Sequence, residues 1–94
     1  MAKILERQIE NYLIAQMKKI GGEAYKWVSP NHRGVLDRIA IFPNGPVVFT
    51  EVKKPTGKLT PLQIRMVEKL LALGQNAEVV YTKTDVDMLI IKYS

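Results

Sequence analysis

The sequence predicts an α/β fold, one β-sheet with helices packed on it, in the order helix, three strands, helix, strand and a short final helix. Three observations predict it. Apolar residues recur at helical spacing in two segments that each stop at glycine; two β-rich runs flank a Pro43-Asn44-Gly45 turn; and another β-rich run follows the second helical segment. With 94 residues, 47% of them hydrophobic, residues 1–94 are expected to form a single domain with one modest core. A chain this short keeps much of its surface exposed, so association as a homodimer is expected to help its stability.

From about Lys3 to Ile20 the residues Ile9, Leu13, Met17 and Ile20, with Leu5 and Tyr12 beside them, form one apolar stripe of a helix that Gly21-Gly22 ends. Ala24 to Val28 is a short strand, and Ser29 to Gly34 is a loop rich in turn residues. Val35 to Phe42 and Pro46 to Lys53 make an antiparallel hairpin, with Asn44-Gly45 at the turn. Thr60 caps a second helix with Pro61 at its first position; Gly74 stops it, and Ile64, Val67, Leu70 and Leu71 form its expected core face. Ala77 to Tyr81 is a strand, and Thr84 to Ile91 fits either a short helix or a final strand, the helix being preferred because Thr84 and Asp85 suit a helix start.

Composition narrows the chemistry. Fourteen Lys and Arg against nine Asp and Glu give a formal charge of +5, which favours a polyanionic partner, although charge alone fits a merely soluble basic protein equally well. No cysteine is present, which excludes disulfides, thiol nucleophiles and cysteine-ligated zinc. His32 is the sole histidine, so any metal must be held mainly by oxygen, as Mg2+ or Mn2+ is. No stretch reaches the roughly 20 apolar residues of a membrane span, and no signal-peptide pattern opens the chain. A cytoplasmic protein without a membrane partner is expected.

One group of charges stands where apolar residues would be expected. In the second hairpin strand, alternation puts Val47, Phe49, Glu51 and Lys53 on one face, so an apolar row ends in a carboxylate and an amine. Asp37 shares its face with Ile39 and Ile41, and antiparallel pairing about Asn44-Gly45 brings it close to Glu51 and Lys53. Two carboxylates about 4 Å apart repel by roughly 4 kcal/mol at an effective dielectric of about 20. A divalent cation offsets that repulsion, with Asp37, Glu51 and the Val52 carbonyl as its oxygen donors. Lys53 then points its ammonium at the attacking water or at a phosphate oxygen. The simpler alternative is a surface salt bridge between Glu51 and Lys53 at a strand end. Glu6 and Glu10 lie along the edge of the first helix's stripe, where either reaches the sheet end or both are solvated.

Asp37, followed fourteen residues later by Glu51-Val52-Lys53, between a helix bearing a glutamate and a helix bearing Gln63, resembles the PD-(D/E)xK nuclease superfamily. More narrowly, the chain is similar to VRR-NUC domains. The resemblance rests on Gly21-Gly22, Tyr25-Lys26, Ser29-Pro30, Arg33 to Arg38, Val48 to Pro55 and Leu59 to Gln63. Leu36 stands where the family has proline, a position that directs the backbone and ligates nothing.

The resemblance implies a restriction-endonuclease-like fold with a central mixed sheet. It implies metal binding by Asp37 and Glu51, water activation aided by Lys53, and a supporting helical acid, which Glu10 fits better than Glu6. Gln63 would steady Lys53 or a ligand, its plain alternative being a polar residue in a first helical turn. Lys26, Arg33, Arg38, Lys54 and Lys58 are expected phosphate contacts without sequence readout, and His32 is an incidental loop residue. The implied activity is that of a Mg2+- or Mn2+-dependent DNA endonuclease selecting branched, flapped or four-way junction (Holliday junction) DNA by shape, as a homodimer on the two-fold symmetric junction. Two rivals are a catalytically silent DNA-binding module and a protein-interaction subunit of the same fold.

Overall fold

The computed structural model describes residues 4–94. The elements are α1 (Glu6–Lys19), β1 (Glu23–Lys26), β2 (Arg38–Ile41), β3 (Val47–Val52), α2 (Pro61–Ala72), β4 (Asn76–Val80) and α3 (Lys83–Tyr93). The predicted element order holds throughout. Lys3, included in the expected first helix, lies outside the described residues.

Ile9, Leu13 and Met17 of α1 are fully buried at a spacing of four, so the expected stripe is the one that packs. The helix stops at Gly21: its φ is 85°, and Gly21 N and Gly22 N donate to Lys18 O and Met17 O, closing the last carbonyls. The next residue must also be glycine, because a Cβ on Gly22 would meet the Ile41 carbonyl oxygen at 2.5 Å. The chain thus turns from α1 directly against the hairpin.

The strands form one mixed sheet in the order β1-β2-β3-β4, antiparallel except for the parallel pair β3–β4. Phe42 and Pro46 close the hairpin as expected, with Phe42 N donating to Pro46 O at 2.9 Å. One sheet face, carrying Ala24, Ala40, Val48, Val52 and Val80, packs with α1 and with Val86 and Leu89 of α3 into the core. Tyr12 and Asp87 tie the two helices through a 2.7 Å hydrogen bond.

The second sheet face is covered less completely. Of the four core residues expected in α2 only Leu70 is buried; Ile64 is 45% and Leu71 is 54% exposed. The reason is position: α2 packs chiefly along β4 and has no further layer outside it. Other boundaries move: β1 is Glu23–Lys26 against the expected Ala24 to Val28, and β4 is Asn76–Val80 against the expected Ala77 to Tyr81. Val35 to Asp37 precede β2 and do not belong to it, although Trp27 N still reaches Asp37 O at 3.1 Å. The final helix starts earlier than expected, because Thr82 and not Thr84 is its cap, accepting from Asp85 N at 3.0 Å, and it runs on to Tyr93.

These burials give a direct expectation for urea unfolding. Leu13→Ala should cost about 2–5 kcal/mol of stability, whereas Leu71→Ala, at an exposed site, should cost under about 0.5 kcal/mol.

Candidate active site

Hairpin register assembles the site. Arg38 lies opposite Thr50, so Asp37, one residue earlier, emerges beside Glu51, one residue later. The Asp37 carboxylate is anchored there by the backbone, its Oδ2 accepting from Val52 N at 2.9 Å. Val52, whose carbonyl is an expected donor, contributes its amide to the site as well. Glu51 is only 2% exposed, which removes the simple alternative of a surface salt bridge.

Two side chains converge on Glu51 Oε2. Lys53 Nζ stands 3.4 Å away, and Gln63 Nε2 donates at 2.9 Å. Gln63 also completes the start of α2: its Oε1 accepts from Thr60 N at 3.0 Å while its own N donates to Thr60 Oγ1 at 3.2 Å. The residue is therefore both a capping residue and a partner of the buried acid. The loop ahead of β2 braces the same helix end, where Gly34, at φ 80°, sits so close that a Cβ would lie 2.8 Å from Leu62 Cβ.

Glu51 Oε1 is buried with no hydrogen-bond partner. Burial first and the neighbouring Asp37 second push the Glu51 carboxyl up to about 7, against the opposing pull of Lys53. A buried carboxylate oxygen without a donor, beside a second carboxylate, fits a hard divalent cation. Among the described residues no cluster of three or more His, Cys, Asp or Glu could hold a metal, so the protein's share of such a site is small. A cation held there would take most of its shell from water, as Mg2+ prefers.

The remaining predicted residues divide into two groups. Lys26, Arg33, Lys54 and Lys58 are exposed and in no ion pair among the described residues, as phosphate contacts need to be. Arg38 differs from the expectation. Its Nε donates to Glu10 Oε2 at 2.9 Å and its Nη1 to Ala24 O at 3.2 Å, so its guanidinium is engaged inside the fold. Glu10 is correspondingly part-buried, while Glu6 is exposed in the first turn of α1; among the described residues neither forms a cluster of three acids with Asp37 and Glu51. His32 is exposed with its ring near Ser29 Oγ, in keeping with an incidental role. The Arg38–Glu10 pair had no local signal in the sequence beyond an arginine beside Asp37.

The raised Glu51 pKa has a definite sign. Between pH 4.5 and about 7 the folded protein keeps a proton that the unfolded chain has lost, so this group's contribution to stability falls as pH rises through that window. In EDTA, thermal melts of wild type and Glu51→Gln should nearly coincide at about pH 4.5, and the variant should melt several degrees higher at pH 8, where only the wild type carries the buried charge.

Comparison with known proteins agrees with this arrangement. No family model matches the chain. Over 74 residues, 79% of this chain and 80% of the relative, it is 50% identical to the protein named "Putative nuclease p44" of Acyrthosiphon pisum secondary endosymbiont phage 1. A solved structure described as a VRR_NUC domain is 31% identical and superposes with a TM-score of 0.88, over 95% of this chain and 97% of that one. With half of the 74 aligned residues identical to one relative, and 95% of the chain superposed on a VRR_NUC domain at 31% identity, the chain belongs to the VRR-NUC family.

Proposed function

We propose that this protein is a DNA endonuclease that needs Mg2+ or Mn2+ and hydrolyses phosphodiester bonds, choosing DNA by shape. The observation that carries this is Glu51, a buried carboxylate with a free oxygen, set beside Asp37 and within 3.4 Å of the Lys53 ammonium. The name of the phage relative supports nuclease chemistry.

Asp37 and Glu51 would hold the cation, which supplies Lewis acidity toward the phosphodiester and lowers the pKa of water. The protein's own groups do the rest. Gln63 holds Glu51 by Oε2, which restricts the rotation of the carboxylate and leaves Oε1 without a competing donor. The Val52 amide likewise restrains Asp37. Lys53, 15% exposed, puts a fixed positive charge where the phosphate gains negative charge in the transition state. Lys26, Arg33, Lys54 and Lys58 hold the backbone of the substrate by charge, with no reading of base edges.

Selection by shape follows from size. A domain of 94 residues has little surface left for a base-reading element once the sheet, the helices and the site are built. A homodimer presents two sites related by two-fold symmetry, which matches a four-way junction. Exposed Leu71, Leu73, Met88 and Ile91 give so small a chain apolar surface for a second copy to cover.

Cleavage of labelled linear duplex, single-stranded, flap and four-way junction DNA tests the proposal. Branched DNA should be cut with Mg2+ or Mn2+ and not with EDTA; a folded protein that binds DNA and cuts none of these would instead be a silent binding module. Glu51→Ala and Lys53→Ala should each abolish cutting while DNA binding, followed by mobility shift, stays near wild type. Glu6→Ala should reduce the rate less than Glu10→Ala, and equal losses would remove Glu10 from the site.

A further inference from the structure

The sheet face that carries Glu51 also holds a cleft that the chemistry described above leaves unused. It measures about 290 Å3 and lies between the segment that leaves β1 and the helix α2. Trp27 walls it on one side and Val35 on another, while Met66 and Leu70 of α2 close the third. Ser29 and His32, whose Oγ and Nδ1 lie 3.3 Å apart, add hydrogen-bonding groups to a lining that is otherwise mostly apolar.

Each wall of the cleft adjoins the acid site. Trp27 N donates to Asp37 O at 3.1 Å, Val35 stands two residues before Asp37, and Met66 follows Gln63 by three residues, just under one helical turn. Because β2 alone separates β1 from β3, the backbones of Trp27 and Glu51 lie about two strand spacings apart, roughly 10 Å. A nucleotide next to a phosphate held at Glu51 is therefore within reach of the Trp27 ring.

We propose that this cleft takes up one unpaired nucleobase beside the scissile phosphate, stacked on Trp27, and so favours DNA with unpaired bases over continuous duplex. This rests on the nuclease reading of the acid site. The indole has a firm backing, since it packs on Phe49 with ring centroids 4.9 Å and planes 49° apart. The volume is at the small end of ligand clefts, which begin near about 300 Å3, and suits one planar ring system. Basic Lys69 lines the cleft and no described acid does, while Lys26 beside Trp27 and Arg33 beside His32 are exposed. Such surroundings suit a ligand that brings phosphates with it more than an apolar peptide.

Stacking accepts any base, because every base has a π face, so the cleft adds no sequence readout. It does separate DNA structures. A base in intact duplex must first be unpaired and unstacked to enter, whereas a base in a flap, bulge or branch is already free.

Trp27 is the sole tryptophan of the chain, so its fluorescence reports on the cleft directly. The test titrates the protein in EDTA with three DNAs: a continuous duplex, a duplex with one unpaired nucleotide, and the latter with that nucleotide made abasic. The unpaired base should quench Trp27 and bind roughly five-fold or more tighter than its abasic counterpart, as one lost base stack implies. The continuous duplex should behave like the abasic DNA. Trp27→Leu should erase the difference and Trp27→Phe restore most of it, with melting temperatures checked. Both variants should bind continuous duplex near wild type, because the exposed cations remain.

Equal affinity for the base-bearing and abasic DNAs, or Trp27 emission unchanged by bound DNA, would overturn the assignment. Emission that follows protein concentration and ignores DNA would do so too, giving the cleft and exposed Leu73 at its edge to a second copy. The expected quench without cutting of any DNA in Mg2+ would remove the nuclease reading and leave a base-binding cleft. Cutting in Mg2+ that is indifferent to the missing base would remove the cleft alone.

Discussion

Glu51 sets the terms for the rest of this molecule. A carboxylate at 2% exposure loses most of its hydration, and Asp37 beside it adds repulsion, so the charged form is disfavoured up to about pH 7. The groups that make it bearable come from separate parts of the chain: Lys53 from the end of β3, Gln63 from the first turn of α2, and the Val52 amide, which restrains Asp37. None of them donates to Glu51 Oε1. A fold that buries an acid this deeply and leaves one oxygen without a partner gives up stability at that point, and in the metal-dependent function proposed above a cation would restore it.

The division of labour between the two sheet faces follows from this. One face, with α1 and α3, holds almost all of the fully buried apolar side chains and supplies cohesion. The other carries the half-buried row that ends at Glu51, covered by α2 and by the Trp27–Phe49 ring pair, whose centroids are 4.9 Å apart. Since α2 buries little beyond Leu70, its placement relies on its capped first turn, on the Gly34 contact with Leu62 and on the Gln63–Glu51 hydrogen bond. The helix start and the chemical site therefore share the same residue, and a disturbance of either is felt by the other.

Charge in this protein has two uses that composition does not separate. The formal +5 counts Arg38 with Lys26, Arg33, Lys54 and Lys58. In the folded chain the last four are exposed, whereas Arg38 faces an acid and a carbonyl inside the structure. Of these five, only the exposed four contribute their charge freely to the field that attracts a polyanion.

Short-range chemistry made much of this legible in the sequence. Period, caps and turn residues act over a few positions, so the element order, the stop at Gly21-Gly22 and the Asn44-Gly45 hairpin could be read directly, and the hairpin in turn brings Asp37 to Glu51. What needed tertiary structure were quantities set by distant parts of the chain. Whether Glu51 and Lys53 formed a surface pair or a buried site depended on α2 closing over them. The exposure of Ile64 and Leu71 depended on no layer lying outside α2, and the choice of Thr82 over Thr84 as cap depended on where β4 releases the chain. Arg38 met Glu10 across 28 residues of sequence, a contact that no local pattern specifies because it exists only once α1 is laid across the sheet.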